Sequence, residues 1–421
     1  VDGVNGLLAR QPMRGLEEEW VEALPESAKA AVKVLWSLCK KMPALCAAEG
    51  PFLAQVEAAS EDLAPLRSHE SLMSISEVAL ERLMTMLTHA AAACAASEKK
   101  TPKCIERPLQ LVARALGRPP KLNFTELVLS NWTETSPEGV ALMEIRELPE
   151  TKVESESEPE AAPKLHMVLR FLACPDEEWY RATHMLLHKE AREVVAAIRL
   201  GQVAARECNT ETVVESLSKL TTWLNEFCDY FDGHFENKDS RSESVSFGRL
   251  SQFVAKDMEE CEVHCWVYAS GGSVLLPAIH AYLGVQMWAT SENETLDEQV
   301  GRYAVIMRRF MEESRVYMPR LHRVFLEDLE RPGSSIRQFA YRRFGAKSVS
   351  VEGLHTLEVS YNDCLNALTR FLSRRTRLVS RFFPSLESTF SRLHTHVEEQ
   401  MRKSRLKLLQ MRQNVDRCLE K

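Results

Sequence analysis

The sequence has little glycine and no long hydrophobic segment. Of its 421 residues, 16 are glycine and 7% are aromatic. Few glycines, together with many Ala, Leu, Glu and Arg residues, favour helices over sheets. No apolar run approaches the roughly 20 residues that cross a bilayer, and no stretch has the pattern of a signal peptide. The sequence therefore predicts a helical protein without a membrane segment, in the cytoplasm.

Net charge and cysteine usage exclude further classes of protein. The formal charge of −7 argues against nucleic acid or an anionic membrane as the main partner. The 11 cysteines are scattered, odd in number and often placed inside apolar helical runs. This usage indicates reduced thiols in a reducing compartment rather than a disulfide framework.

Hydrophobic periodicity and one polar segment divide the chain. Residues 153–164, VESESEPEAAPK, are acidic, contain proline and have no hydrophobic period, which is typical of a linker. We expect an all-α, two-domain fold, since the remaining chain has mainly helical periodicity. The predicted parts are a small N-terminal domain at 1–152, the acidic linker at 153–164, a large helical domain at 165–383 and a basic C-terminal helix at 384–421.

The clearest amphipathic helix covers residues 360–383 and has one anomaly. Apolar residues recur there at spacings of three and four, and Arg375 falls on the same stripe. A buried guanidinium is costly unless it is paired. Either Arg375 extends to solvent with the neighbouring Arg370, Arg374 and Arg377, or this helix faces a site that the arginine marks.

Patterns that carry chemistry are weak when read from the residues alone. His184 and His188 have the spacing of two metal ligands on one helix face, but no third ligand stands at a diagnostic distance, so a half-buried pair is the simpler interpretation. The CEVHC segment at 261–265 lacks a second CxxC. The SGGS turn at 270–273 matches neither GxGxxG nor a P-loop. No Ser, His and Asp share a spacing that supports a catalytic triad.

Several longer motifs together resemble a known family. They are FTELVLSNW at 124–132, a Gly/Ser turn followed by LLPAIHAYLGV at 275–285, YMPRLHRVFLEDLE at 317–330 and YNDCLNAL at 361–368. In order and separation these motifs look like the indoleamine 2,3-dioxygenase family, and the resemblance covers most of residues 20–383. It implies a two-domain helical protein that holds haem b.

The resemblance also implies a reaction and a substrate. Family members insert both atoms of O2 across the C2–C3 bond of the indole of tryptophan, giving N-formylkynurenine, the entry to tryptophan catabolism by the kynurenine pathway. The chemistry is mainly that of the haem iron, and the protein supplies an apolar pocket that excludes water. L-tryptophan or a related indoleamine and O2 are thus the implied partners of a monomeric protein.

Matched positions predict the residues on the substrate side of the haem. The wall of the indole pocket falls on Phe124, Leu127, Val128, His166 and Leu169. The loop over the haem edge falls on Ser270, Gly271, Gly272 and Ser273. The arginine that binds the substrate carboxylate falls on Arg249.

The proximal side departs from the family pattern. Arg375 falls at the position of the axial histidine, and an arginine has no lone pair to give to iron. Leu372 replaces a family arginine, and His280 replaces a carboxylate. Either haem is retained through His280 as an alternative iron ligand, or the protein is a catalytically inactive member that binds a small molecule or a protein partner. For the latter, the RKSRLK cluster at 402–407 suits an acidic partner, although simple packing of the C-terminal helix is the plainer expectation.

Overall fold

The structure is a computed structural model. It describes the following residues: 7–8, 13, 19–22, 24–47, 51–68, 75–96, 100–134, 165–172, 175–236, 273–286, 305, 308–309, 311–345, 350–382 and 387–411.

The first half of the described chain is built from five helices. These are α1 (Glu19–Glu22), α2 (Glu26–Ala47), α3 (Pro51–Ala58), α4 (Glu77–Ala96) and α5 (Lys103–Leu116). A 3₁₀ turn at Ala64–Arg67 and a π-helical turn at Thr125–Leu129 complete this part.

The second half continues with longer helices. These are α6 (Pro175–Arg206), α7 (Thr210–Glu236), α8 (Leu275–Leu283), α9 (Arg320–Leu329), α10 (Ile336–Gly345), α11 (Val351–Phe382) and α12 (Glu387–Ser404), with a 3₁₀ turn at Ser314–Tyr317. Within the described ranges, strand structure is limited to the antiparallel pair β1 (Trp132–Thr133) and β2 (His166–Met167). The all-α prediction is confirmed.

Local chemistry explains where several of these helices begin and end. The Ser76 hydroxyl accepts the Ala79 N–H at 3.3 Å before α4, and the Asn209 side chain accepts the Thr212 N–H at 3.1 Å before α7. Such caps satisfy N–H groups that the first turn leaves without partners. Helices α5 and α8 end at Gly117 and Gly284, whose φ values of 62° and 78° are the left-handed conformation that glycine adopts without strain.

Buried side chains form two hydrophobic cores. The first is contributed by the helices before residue 117 and by both strands, with Leu83 and Trp132 among its members. The second is contributed by α6–α12, with Leu224, Ile279 and Leu368 among its members. The proposed domain limits stay a prediction.

One turn of α6 lies between the two cores. Met185 packs into the first core, whereas Leu186 and Leu187 pack into the second. The two histidines that flank this apolar triplet, His184 and His188, are also buried. Polar side chains therefore occupy the boundary at this turn.

The C-terminal helix is shorter than predicted. Helix α12 ends at Ser404, and residues 405–407 are not helical. The side chain of Asn362 on α11 binds both backbone groups of Leu406, donating to its carbonyl at 3.2 Å and accepting its N–H at 3.0 Å. Because these groups are then unavailable to a continuous helix, one unbroken helix over 384–421 is wrong. Val397 and Met401 pack into the second core, as the packing interpretation expects.

Among the described residues, no helix is both long enough and apolar enough to cross a membrane.

Candidate functional site

The predicted pocket wall lies where an irregular turn meets the first core. Phe124, Leu127 and Val128 are all buried there. The side chain of Asn123 accepts the Thr125 N–H at 2.8 Å, and its carbonyl accepts the Leu127 N–H at 2.9 Å. The chain continues as a single π-helical turn, a geometry that is frequent at functional sites.

Two histidines of α6 face this wall. The ring of Phe124 lies 4.9 Å from the ring of His188 and 5.9 Å from that of His184, measured between centroids. His188 Nδ1 lies 2.7 Å from the His184 carbonyl oxygen, and its Nε2 lies 2.6 Å from Ser273 Oγ. The His188 ring is therefore held at both nitrogens and against an aromatic face.

A third histidine comes from α9. His322 is 5% exposed, and burial lowers its pKa to about 3, an effect that the positive charge of Arg118 reinforces. The imidazole is therefore neutral near pH 7. The Thr125 hydroxyl donates to the Tyr317 carbonyl at 2.9 Å, which joins the π-helical turn to the segment before α9. We call the boundary formed by Phe124, His184, His188, Ser273 and His322 the seam.

Charged side chains lie beside the seam. Arg118, whose side chain is 1% exposed, forms an ion pair with Glu81 of α4, and its Nη1 lies 3.4 Å from Glu126 Oε1. Burial raises the pKa of the Glu126 carboxyl to about 7, the negative charge of Glu81 acts in the same direction, and Arg118 opposes both. Glu126 thus titrates close to neutral pH, and it lies in the chain between Phe124 and Leu127 of the pocket wall.

The remaining predicted residues of the substrate side, His166 and Leu169, contact the residues that follow the pocket wall. The Asn131 side chain binds both backbone groups of Leu169, donating to its carbonyl at 2.9 Å and accepting its N–H at 2.8 Å. His166 is buried on β2 opposite Thr133. Both lie on the chain that pairs with the end of the wall segment.

Four other predicted residues cannot be placed. Arg249, Ser270, Gly271 and Gly272 lie outside the described residues. Within the described residues, no group of three His, Cys, Asp or Glu side chains is arranged to hold a metal ion.

Helix α11, which carries Leu372 and Arg375 of the predicted proximal side, packs tightly against α7. Phe371 lies 6.1 Å from Trp223 between ring centroids, and Arg374 pairs with Asp232 at 2.8 Å. Leu372 is buried in the second core. Arg375 follows one turn later on α11, and its side chain lies outside the described part.

His280 is half-buried on α8, and the C-terminal end of α8 contacts α11. There the Tyr361 hydroxyl donates to the Leu283 carbonyl at 2.8 Å. His280 lies three residues before that contact, whereas Arg375 lies 14 residues beyond Tyr361 along α11. The role of His280 as an iron ligand stays a prediction.

Similarity to known proteins identifies the family of this chain. A model of the indoleamine 2,3-dioxygenase family matches residues 3–414. The chain belongs to the indoleamine 2,3-dioxygenase family. It is 24% identical to mouse indoleamine 2,3-dioxygenase 2 over 306 residues, which is 68% of this chain and 63% of the mouse protein. It is 23% identical to the human protein of the same name over 292 residues, 67% of this chain and 61% of the human protein. The match thus spans less than two thirds of these relatives.

The haem that this family membership implies can be tested against the donor atoms present. The sequence of α11 contains one histidine, His355, which is exposed and lies about 30 Å before Arg375 at 1.5 Å per residue. The arginine itself has no lone pair for iron. The residues on this helix therefore do not fit a histidine-ligated haem at the family position.

The sequence interpretation missed the partners of the His184–His188 pair. It treated the pair as half-buried and isolated, but both histidines face Phe124, and His188 bonds to a serine 85 residues away. The signal in the sequence was the triplet Met185–Leu186–Leu187 between them. A helix turn that is apolar on every side is surrounded by protein, so its polar neighbours must find partners there.

Proposed function

We propose that this protein binds L-tryptophan or a related indoleamine at the seam, with the planar ring against Phe124. The observation that carries the proposal is the aromatic and imidazole wall formed by Phe124, His184 and His188, in a protein of the indoleamine 2,3-dioxygenase family. Leu127 and Val128 extend this wall with apolar surface. A lining that is mainly apolar with a few placed polar groups is typical of small-molecule sites.

The family reaction is the first activity to test. When bound, haem b would supply the O2 chemistry that cleaves the indole ring to N-formylkynurenine in tryptophan catabolism. This chain's own contribution would be to orient the indole and exclude water. The cleavage requires an iron ligand other than residue 375, and His280 is our candidate.

A second candidate function is binding without catalysis. It is favoured by one observation, the arginine at the axial position of α11. In that case the protein keeps the indoleamine pocket of the family and acts as a small-molecule-binding or interaction protein. Monomeric state and cytoplasmic location stay predictions under either function.

One titration series separates the two functions. Purified protein is titrated with hemin, reduced with dithionite and exposed to carbon monoxide, while the visible absorption spectrum is recorded. A saturating Soret band in the natural protein, lost in His280→Ala and kept in the control His355→Ala, together with tryptophan turnover, supports the dioxygenase.

A gain-of-function variant gives the second arm. If the natural protein shows no saturable haem band but Arg375→His does, the fold has kept the haem cavity and lost only the ligand, which supports binding without catalysis. Tryptophan and indole are then tested for ligand-dependent melting without haem. Failure of both to raise the melting temperature at millimolar concentration contradicts the indoleamine site itself.

A further inference from the structure

Hydrogen bonds around Ser273 define its polarity. A serine hydroxyl can donate one hydrogen and accept two. Ser273 Oγ accepts the Leu275 N–H at 3.2 Å, at the start of α8, and lies 2.6 Å from His188 Nε2. Whether Ser273 Oγ or His188 Nε2 donates the hydrogen in this second contact decides which hydrogen-bonding role the serine can play toward a ligand.

The His188 ring answers that question. Its Nδ1 lies 2.7 Å from the His184 carbonyl oxygen, which can only accept, so Nδ1 must carry the hydrogen. In a neutral imidazole Nε2 is then an acceptor. The Ser273 hydroxyl therefore donates to His188, and its hydrogen is not available to any other group.

This arrangement leaves one unused capacity at Ser273. Its hydrogen goes to His188 and one lone pair goes to Leu275, so a single acceptor position remains among the contacts that the described residues make. Ser273 and His188 are both deeply buried, with 5% and 2% of their surfaces exposed. A ligand that meets this oxygen in an environment without bulk water must bring a donor.

We propose that Ser273 is a specificity-determining residue that binds an N–H donor of the ligand, and that His188 is the positioning residue that fixes this polarity. The inference rests on the proposed function and deepens it. The preferred ligands carry an indole N–H or an ammonium group at this point, and a carboxylate there is rejected because two oxygen lone pairs would face each other.

A second buried group near His188, the His322 ring, also has an unused hydrogen-bonding position among the described residues. His322 Nδ1 is buried and has no hydrogen-bond partner in the part of the chain that the structure describes. His322 lies close enough to His188 for the charge of one to act on the other. A buried nitrogen without a partner is costly, and a bound polar ligand is one of the few ways to satisfy it.

The test is a set of affinities measured by isothermal titration calorimetry on the full chain without haem. The probes are L-tryptophan, 1-methyl-L-tryptophan, which lacks the ring N–H, and indole-3-propionate, which lacks the ammonium group. Ser273→Ala should bind the probes that carry the relevant donor about tenfold more weakly, the order expected for one hydrogen bond. These probes are L-tryptophan and indole-3-propionate if Ser273 binds the ring N–H, and L-tryptophan and 1-methyl-L-tryptophan if it binds the ammonium group. The probe without that donor should bind the variant and the natural protein equally, which identifies the group that is read.

Two further variants complete the design. His188→Phe keeps a ring against Phe124 and removes the Nε2 acceptor, so the Ser273 hydroxyl turns freely. The difference in affinity between the probes with and without the donor bound by Ser273 should then shrink. Ser373→Ala is the matched control, because Ser373 also bonds to a histidine, His394, but on α11 and α12 outside the seam. It should leave all three affinities unchanged.

The outcomes are separable. If Ser273→Ala binds all three probes as the natural protein does, Ser273 does not read the ligand and the inference is overturned, while the indoleamine site stands. If no probe binds the natural protein, the proposed function and this inference fall together. Should Ser273→Ala fail to fold in circular dichroism, Ser273→Cys takes its place, because the weaker sulfur acceptor must reduce the affinity for the same probes.

Discussion

Replacing Glu126 by glutamine should remove a pH dependence of stability that the buried carboxyl creates. Folding raises the pKa of this group from 4.5 to about 7, chiefly by burial. The native state therefore holds the proton more tightly than the unfolded chain does. Its contribution to the free energy of unfolding is complete below about pH 4.5 and is lost as the pH rises through about 7.

The size of the effect follows from the two pKa values. One pKa unit corresponds to about 1.4 kcal/mol. Between pH 5 and pH 8 the two titration curves give a loss of about 2–3 kcal/mol from this group alone. Full burial of Glu126 means that solvent does not screen the charge, and Arg118 at 3.4 Å offsets only part of the cost. Glu126→Gln keeps the shape of the side chain and cannot ionise.

The assay is urea unfolding followed by circular dichroism at half-unit steps from pH 5 to pH 8. The natural protein should lose about 2–3 kcal/mol relative to Glu126→Gln over this range. The control is Glu77→Gln, which removes an exposed carboxylate on the same helix as Glu81. Parallel curves for the natural protein and Glu126→Gln would show that Glu126 titrates at its ordinary pKa and would refute the reasoning.

Two further changes test the packing around the site. Gly201→Ala should lower the free energy of unfolding by about 1–3 kcal/mol or more in urea unfolding, because an added Cβ would lie 2.7 Å from Tyr282 Cζ and closer still to its hydroxyl and to Ser216 Oγ; an unchanged midpoint would contradict this. Asn131→Ala should cost about 2–4 kcal/mol, because it leaves both backbone groups of the buried Leu169 without their partner. Asn131→Asp keeps the acceptor for the Leu169 N–H but turns a second oxygen toward the Leu169 carbonyl in a fully buried position, so it should lose at least as much. A smaller loss would argue against the paired bonds.

Much of the fold was predictable because it depends on local periodicity. The apolar spacing around Leu365 and Leu368 fixes α11, and the LLPAIHAYL segment fixes α8. The burial of Phe124 followed from the same kind of pattern. Two features escaped this approach, the π-helical turn after Phe124 and the end of α12 at Ser404. The latter depends on Asn362, 44 residues earlier in the chain.

The candidate site was less predictable because its contacts join distant parts of the sequence. Spacing placed His184 and His188 on one face of a helix but contained no information on Ser273 as the partner of His188. Nor did it indicate that Arg118 would be buried with two glutamates. Motif matching gave the positions of the axial site, and the chemistry of Arg375 followed from the residue type without any coordinates.

The seam also bears on how the interior exchanges with solvent. Opening a gap inside either core exposes hydrocarbon, at about 2.5 kcal/mol for each 100 Å². A gap of equal size along the line of His184, His188 and Ser273 instead wets imidazole and hydroxyl groups that water can hydrate. Transient separation along that line is therefore less costly than an equal gap inside either core, and it would let a molecule reach Phe124. The rate of entry should depend on how firmly the Thr125–Tyr317 hydrogen bond holds the two sides together.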